Sequence, residues 1–518
     1  MDSESPKLEM VFIPFIAPGH MIPMVDLARL IASHGVRVTI IITTHNALIF
    51  KKAIDRDIET GNPINLHILP FPFAQVGLPE GIENLGSLTS PDQTAKVSMG
   101  AMLLQKPIEQ ILRDRAPDCI VSDMFYPWTA DVAAQLGIPR IWFQGSSFTA
   151  LCAAHSVESN APHEKVTSDT ETFVVPGLPD RLEMTRLQLP DHVRSKTPYG
   201  ALLDLIGEAE TRSYGVLMNS FYELEPSYID HFKSVIGKKA WHIGPVSLCL
   251  SKYDKANRGQ NSVVDAHKCL SWLDSKKANS VLYVSFGSLA KFRAPQLHEI
   301  ALALQASSHP FIWVIRYEET TKDQMWLPDG FKERMNGLMI HGWAPQVLIL
   351  EHPAIGGFMT HCGWNSILES VTAGVPLIAW PMYAEQFYNE KLVTQIAKIG
   401  VGVGAEEWYN LIDDERKVLV KREKIEKAVL RLMDSGDEAE KIRERAKEFG
   451  EKAKSVVEVG GSSYNDLTGL IDELVRLRAS TAVGWMDSPK SRVNPIHPTT
   501  VFNPPQGEFT PCTSEPRA

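Results

Sequence analysis

The sequence predicts an α/β protein of two doubly wound, parallel-sheet domains, on three observations. Short apolar or β-branched runs alternate with helix-period segments in both halves of the 518 residues. A β-α-β unit fits within roughly 35 residues at the start, which requires parallel strands and a right-handed crossover. The series lapses into a polar stretch near the middle and then resumes. At roughly 100–200 residues per domain the length allows about two to four, and two large α/β domains absorb it.

Each element follows from local chemistry. Residues 10–16 (MVFIPFI) read as a buried strand, and Ala17-Pro18-Gly19-His20 is the turn that leaves it. From Pro23 to Ile31 apolar residues recur at helical spacing, Gly35 is the stop signal, and 36–43 (VRVTIIIT) is a β-branched strand. Residues 118–122 form a further strand that delivers Asp123; a helix through 131–136, the break Gly137-Ile138-Pro139 and the strand 140–143 follow. The pattern changes at 241–246, and 251–261 (SKYDKANRGQN) is polar, aperiodic and reads as a linker. A second α/β series opens at 280–286 and continues through 311–315, 355–359 and 376–379. The expected division is 1–247, a linker at 248–263, 264–479, and a Pro-, Ser- and Thr-rich disordered tail at 480–518. The charged stretch 421–454 reads as a solvated helix face laced with i,i+4 ion pairs.

Composition narrows the function classes. Hydrophobic residues at 44% and charged residues at 22% are ordinary for a globular chain. A net charge of −10 disfavours binding to nucleic acid or anionic lipid. Six cysteines without a C-x-x-C pair suit neither a disulfide scaffold nor structural zinc. No signal-peptide pattern opens the chain and no apolar run is long enough to span a bilayer, so a soluble protein of a reducing compartment, the cytosol, is expected. G-x-G-x-x-G after the first strand, G-x-x-x-x-G-K-[ST] and H-E-x-x-H are all missing. The D-x-D string at Asp55 and Asp57 lies in a polar, helix-like stretch away from a strand end and reads as a solvated face.

The densest pattern is the 44-residue segment 343–386, WAPQVLILEHPAIGGFMTHCGWNSILESVTAGVPLIAWPMYAEQ. Within it, His361-Cys362-Gly363-Trp364-Asn365-Ser366 stands where a strand (357–360) gives way to a helix (366–373). Free N–H groups and the dipole at a helix N-terminus bind phosphate. Gly363 lets the backbone approach closely, and His361, Asn365 and Ser366 add side-chain donors toward a diphosphate. Ser288, in the turn Phe286-Gly287-Ser288 after another strand, adds one more. Such donors stabilise a departing diphosphate without a cation. In the first half, His20 and Asp123 both follow strands, at the carboxyl ends where doubly wound sheets bind ligands. A histidine oriented by a carboxylate is a general base of fixed tautomer. Taken singly, His20 also reads as a capping or packing residue and Asp123 as a helix N-cap.

Segment 343–386 closely resembles the donor-binding signature of the plant secondary-product UDP-glycosyltransferases. PGHMIPMVDLARL at 18–30, SDMFYPW around Asp123, YVSFGS at 283–288 and GGSS at 460–463 resemble the same family, so the likeness covers nearly the whole chain except the tail. The resemblance implies the GT-B fold, two Rossmann-like domains facing across a cleft. It places the acceptor in the first half and implies an inverting reaction with no metal or other cofactor, the UDP-sugar being a co-substrate. It also implies that the Trp343 ring stacks on uracil and that the Ala344 backbone and Gln346 complete nucleoside recognition. Glu369, one helical turn beyond Asn365 and Ser366 and on their face, takes the ribose hydroxyls. Glu385, Gln386 and the Trp364 backbone hold the sugar. His20 and Asp123 match the catalytic dyad positions: His20 takes the acceptor proton, and Asp123 stabilises the imidazolium.

In the family a final Gln of the segment goes with glucose and a final His with galactose, so Gln386 implies UDP-glucose; UDP-galactose and UDP-glucuronate stay open. Glu385 stands where Asp is commoner. The stretches 176–179 and 182–190 resemble members acting on triterpenoid sapogenins and saponins. A small hydrophobic acceptor of that class is expected, glycosylated at a hydroxyl or carboxyl, with flavonoids and steroids as alternatives. The expected chain is a monomer in the cytosol with no nucleic-acid partner and no integral membrane segment; loose association with the cytosolic face of the endoplasmic reticulum stays open. Two other classes compete. A silent UDP-sugar or terpenoid binder has no need of a base and its orienting carboxylate, and a nicotinamide oxidoreductase lacks its glycine fingerprint here.

Overall fold

The computed structural model describes residues 7–88, 90, 92–259, 266–315, 326–409 and 419–486. Two compact units are distinguished, Met1–Val475 and Arg476–Ala518. In the first unit the strands are β1 (Glu9–Ile13), β2 (Arg37–Thr43), β3 (Ile64–Leu69), β4 (Cys119–Asp123), β5 (Arg140–Gln144), β6 (Thr172–Val175), β7 (Leu182–Thr185), β8 (Gly215–Met218) and β9 (Ala240–His242). They continue with β10 (Val281–Ser285), β11 (Phe311–Ile315), β12 (Gly337–His341), β13 (Ile355–Thr360), β14 (Leu377–Ala379) and β15 (Gly400–Gly402).

Two parallel sheets result, in the orders β3-β2-β1-β4-β5-β8-β9 and β12-β11-β10-β13-β14-β15. The predicted doubly wound α/β architecture is therefore present in both halves. Central strands such as β4 (CIVSD) and β10 (VLYVS) are buried at every residue, as continuous apolar runs in parallel sheets are. One core gathers Val11, Ile41 and Ile120 with Leu104, Ile108 and Leu112; the other gathers Val281, Tyr283 and Phe358 with Ile367, Leu368 and Val371. Strand order reverses between β1 and β4 in the first sheet and between β10 and β13 in the second. Crevices at such reversals, beyond the carboxyl ends of the strands, are where doubly wound sheets take ligands.

Several elements differ from the sequence reading. The first helix spans Pro18–Ser33, so Ala17-Pro18-Gly19-His20 is its cap and first turn rather than a separate turn. Proline at the first helical position is pre-set for that geometry, and Pro23, read as the start, lies inside the helix. The expected linker at 248–263 contains the helix Lys252–Asn257, capped by Ser251. Arg29 and Arg56 on the first half hold it through Asp254, charge pairing that an apolar-periodicity criterion does not see. An antiparallel pair, β6–β7, was not expected.

The last helix, Ser462–Met486, carries residues expected to belong to the second half. Its Ser463 hydroxyl donates to the Gly244 carbonyl (2.5 Å), and Asp466 accepts the His242 N–H (2.9 Å), so this part of the helix lies on the first half beside β9. In the second unit the same helix runs on to Met486, beyond the expected tail boundary at 480. The rest of that tail, 487–518, lies outside the described residues. Among the described residues no helix is long and apolar enough to cross a membrane.

Candidate active site

The reversal between β1 and β4 brings His20 and Asp123 together. Asp123 ends β4, fully buried, and its Oδ2 lies 2.9 Å from His20 Nδ1. Its Oδ1 accepts the Phe125 N–H at 3.1 Å. The Oδ2–Nδ1 contact favours the His20 tautomer protonated on Nδ1, which leaves Nε2 as an acceptor. The rings of Phe15 and Phe125 stand 5.8 and 5.4 Å from the imidazole and give it an apolar wall. Burial disfavours the charged imidazole, but the Asp123 charge and hydrogen bond, with a further pull from Glu385, raise its pKa above the ordinary 6.5.

Two turns meet at the β10–β13 reversal. Gly363 caps the helix Trp364–Ala373 and offers no side chain to its first-turn N–H groups. His361 packs between this turn and the Phe286-Gly287-Ser288 turn, which holds Ser288 half-buried. A Cβ on Gly363 would come 2.4 Å from His361 Nε2, and one on Gly287 (φ +77°) 2.6 Å from Cε1. Glycine is therefore required sterically at both positions. Burial pushes the His361 pKa down to about 4, so the ring is a neutral donor near pH 7. Cys362 is held at φ +65° and Ala384 at φ +51°. Non-glycine residues in the left-handed region carry strain that persists where surrounding structure enforces it.

The nucleoside end expected from the sequence is a connected network. Gln346 Nε2 donates to Glu369 Oε2 (2.8 Å) and to the Ser366 hydroxyl (3.2 Å), and Gln346 Oε1 accepts from the Tyr283 hydroxyl (3.3 Å). Ala344 is buried and accepts the Gln346 N–H at 2.8 Å. Trp343 Nε1 donates to the carbonyl of Arg258 (3.0 Å), a residue that sequence reasoning missed inside the polar linker.

Where the sequence leads one to expect the sugar, Glu385 accepts from Asn389 Nδ2 (3.1 Å), while Gln386 Oε1 takes the N–H groups of Met382 and Tyr383, each at 3.0 Å. The Gln386 side-chain amide oxygen is thus engaged by the backbone. Asn389 was also missed, although its spacing of four from Glu385 is helical. It bonds the Cys362 carbonyl (3.0 Å) and accepts from Ser147 of the first half (2.7 Å).

Other bonds cross between the halves. The Trp364 indole donates to the Asn219 carbonyl (2.8 Å) and Asn365 Nδ2 to the Gly19 carbonyl (2.6 Å). Pro23, four residues after Gly19, has no N–H to occupy that carbonyl, so the helix leaves an acceptor open beside His20. Asn365, from the first turn after Gly363, fills it. In the stretch 182–190, Leu182, Met184 and Leu189 are buried in a core shared with the second half, and Leu187 accepts the Trp408 N–H at 2.8 Å. Asp55 pairs with Lys51 and Asp57 with Arg29. Among the described residues, no group of three or more His, Cys, Asp or Glu could hold a metal ion.

Exchanging Asp123 for Asn is expected to lower kcat/KM by about 10²–10⁴-fold, because an amide stabilises the imidazolium poorly and accepts either tautomer. A base is lost when it protonates, so wild-type activity should fall as pH drops through a His20 pKa above 6.5. Removing the Asp123 charge should move that acid limb to lower pH in the pH–rate profile.

Comparison with known proteins accounts for both halves. The family described as "Glycosyltransferase, N-terminal domain" matches residues 7–248, and "UDP-glucoronosyl and UDP-glucosyl transferase" matches 236–422. The soyasapogenol B glucuronide galactosyltransferase of Glycine max is 51% identical over 93% of this chain and 98% of its own. The scopoletin glucosyltransferase of Nicotiana tabacum is 48% identical over 90% and 98%. The crystal structure of Glycyrrhiza uralensis UGT73P12 complexed with glycyrrhetinic acid 3-O-monoglucuronide superposes with a TM-score of 0.88 at 47% identity, covering 93% of this chain and 98% of that one. With the GT-B fold, two switch-point sites and this identity over almost its whole length, the chain belongs to the plant UDP-glycosyltransferase family.

Proposed function

We propose that the chain is an inverting, metal-independent glucosyltransferase that moves glucose from UDP-glucose to a hydroxyl or carboxyl of a triterpenoid sapogenin or saponin. The carrying observation is the His20–Asp123 pair, 2.9 Å apart, in the electrostatic field of Glu385 from the other half. His20 Nε2 takes the proton of the acceptor hydroxyl as its oxygen bonds to the anomeric carbon. The bond from that carbon to the UDP oxygen breaks on the opposite face, and the electron pair leaves with UDP. Asp123 stabilises the imidazolium. The first-turn N–H groups after Gly363, with His361, Asn365, Ser366 and Ser288, receive the charge on the departing diphosphate. One displacement converts an α-linked donor sugar into a β-glycoside.

Trp343, Ala344 and Gln346 bind the uridine, Glu369 the ribose, and Glu385 with Gln386 the sugar. The Phe15 and Phe125 wall suits an apolar acceptor; one reported relative is named for soyasapogenol B glucuronide, and UGT73P12 is complexed with a triterpenoid 3-O-monoglucuronide. A second reading, UDP-galactose as donor, is favoured by the Glycine max galactosyltransferase. We read the chain as a monomer acting in the cytosol.

The test crosses UDP-glucose, UDP-galactose and UDP-glucuronate with sapogenins, their 3-O-monoglucuronides and flavonols, with products read by mass. Hexose gain from UDP-glucose on a sapogenin or its glucuronide is expected, and EDTA should leave the rate unchanged. Transfer to flavonols alone would overturn the acceptor, preference for another donor would overturn glucose, and loss of activity in EDTA would return Asp55 and Asp57 to consideration.

A further inference from the structure

One arginine outside segment 343–386 ties the nucleoside end of the site to the helix that carries His20. Arg258 follows the helix Lys252–Asn257, and its guanidinium donates from Nε to Asp26 Oδ2 at 2.8 Å and from a terminal nitrogen to Glu369 Oε1. Its carbonyl accepts the Trp343 indole N–H. The next residue, Gly259 (φ +85°), lies so close to the Trp343 ring that a Cβ would come within 2.2 Å of it. This stretch therefore touches two of the four residues assigned to the nucleoside, Trp343 and Glu369.

Asp26 and Glu369 are 6% and 7% exposed, and Arg258 stands between them at 12%. Two buried carboxylates without a cation between them repel and lose hydration together. Gln346 holds the second Glu369 oxygen, so the carboxylate is gripped at both ends. Each carboxylate oxygen accepts two hydrogen bonds, which leaves capacity for hydroxyl donors after both grips are made. Asp26 sits on the same helix as His20.

We propose that Arg258 is a positioning residue for the donor: it orients the Glu369 carboxylate for the ribose hydroxyls and, through Asp26, joins that carboxylate to the helix bearing His20. The proposal rests on Glu369 being the ribose receptor. A positioning role acts through the ribose alone, and a general structural role does not.

The experiment measures UDP and 2′-deoxy-UDP binding by calorimetry to the full chain, Arg258→Gln, Arg258→Lys, Asp26→Asn and Glu369→Gln, with melting curves alongside. Wild type should prefer UDP. Arg258→Gln should weaken UDP about tenfold or more, the size of one lost charge-assisted hydrogen bond. It should weaken 2′-deoxy-UDP, which keeps only the 3′-hydroxyl, by less, so the preference shrinks as in Glu369→Gln, and Arg258→Lys should restore part of it. Equal losses for both nucleotides would make Arg258 a structural strut and overturn the proposal. Tighter UDP binding would mean that Arg258 obstructs the site, and would overturn it too. If Arg258→Gln does not fold, Asp26→Asn decides, reduced preference supporting the link and unchanged preference refuting it. If wild type itself does not distinguish the two nucleotides, the ribose reading of Glu369 has failed instead.

Discussion

Exchanging His20 for alanine should lower kcat by about 10²–10⁴-fold, the range of general-base catalysis, while UDP affinity stays near wild type. The separation follows from where the side chain stands. Its ring bonds Asp123 and packs beside Phe15 and Phe125, all in the first half, and Asn365 of the turn proposed for the diphosphate reaches this region through the Gly19 carbonyl rather than the imidazole. His20→Gln, which keeps size and polarity but cannot take a proton at neutral pH, should be nearly as inactive. Calorimetry with UDP and steady-state rates on the same preparations read the two quantities. Loss of UDP affinity in both variants would show that His20 supports the donor site rather than the proton transfer.

The second large effect is expected at Gly363. An alanine methyl there meets His361 Nε2 at 2.4 Å, and that ring is itself buried, packed against the Gly287 turn on its other side. The imidazole must swing out of its slot, or the cap of the Trp364–Ala373 helix must move. Either displaces donors aimed at the diphosphate. Losing one or two charge-assisted hydrogen bonds, at about 1.5–3 kcal/mol each, corresponds to roughly 10–10⁴-fold weaker UDP binding. The donor KM should rise accordingly and the acceptor KM much less. An unchanged UDP affinity would mean that His361 and the helix cap do not hold the diphosphate.

These sites were unequally legible in the sequence. Segment 343–386 is contiguous, and its strand–turn–helix grammar fixes where Gly363 and its neighbours stand. His20 and Asp123 lie 103 positions apart but share one reason for adjacency: His20 opens the helix that follows β1 and Asp123 ends β4, the two strands at the reversal of the first sheet. Arg258 shares no such rule. It meets Asp26, 232 positions away, and Glu369, 111 positions away, from a polar stretch with no periodicity. Only the tertiary fold brings those charges together. The Gly19 carbonyl is a subtler omission: its availability follows from Pro23 in the helix ladder, but its partner Asn365 is 346 positions away.

The most direct measurement of the central claim is the anomeric configuration of the product formed from UDP-α-glucose and a triterpenoid monoglucuronide, read from the proton coupling at the new anomeric centre. A single displacement by an oxygen deprotonated at His20, with UDP leaving on the far face, predicts one added glucose in β linkage. An α-linked product, or release of free glucose with no glycoside formed, would contradict it.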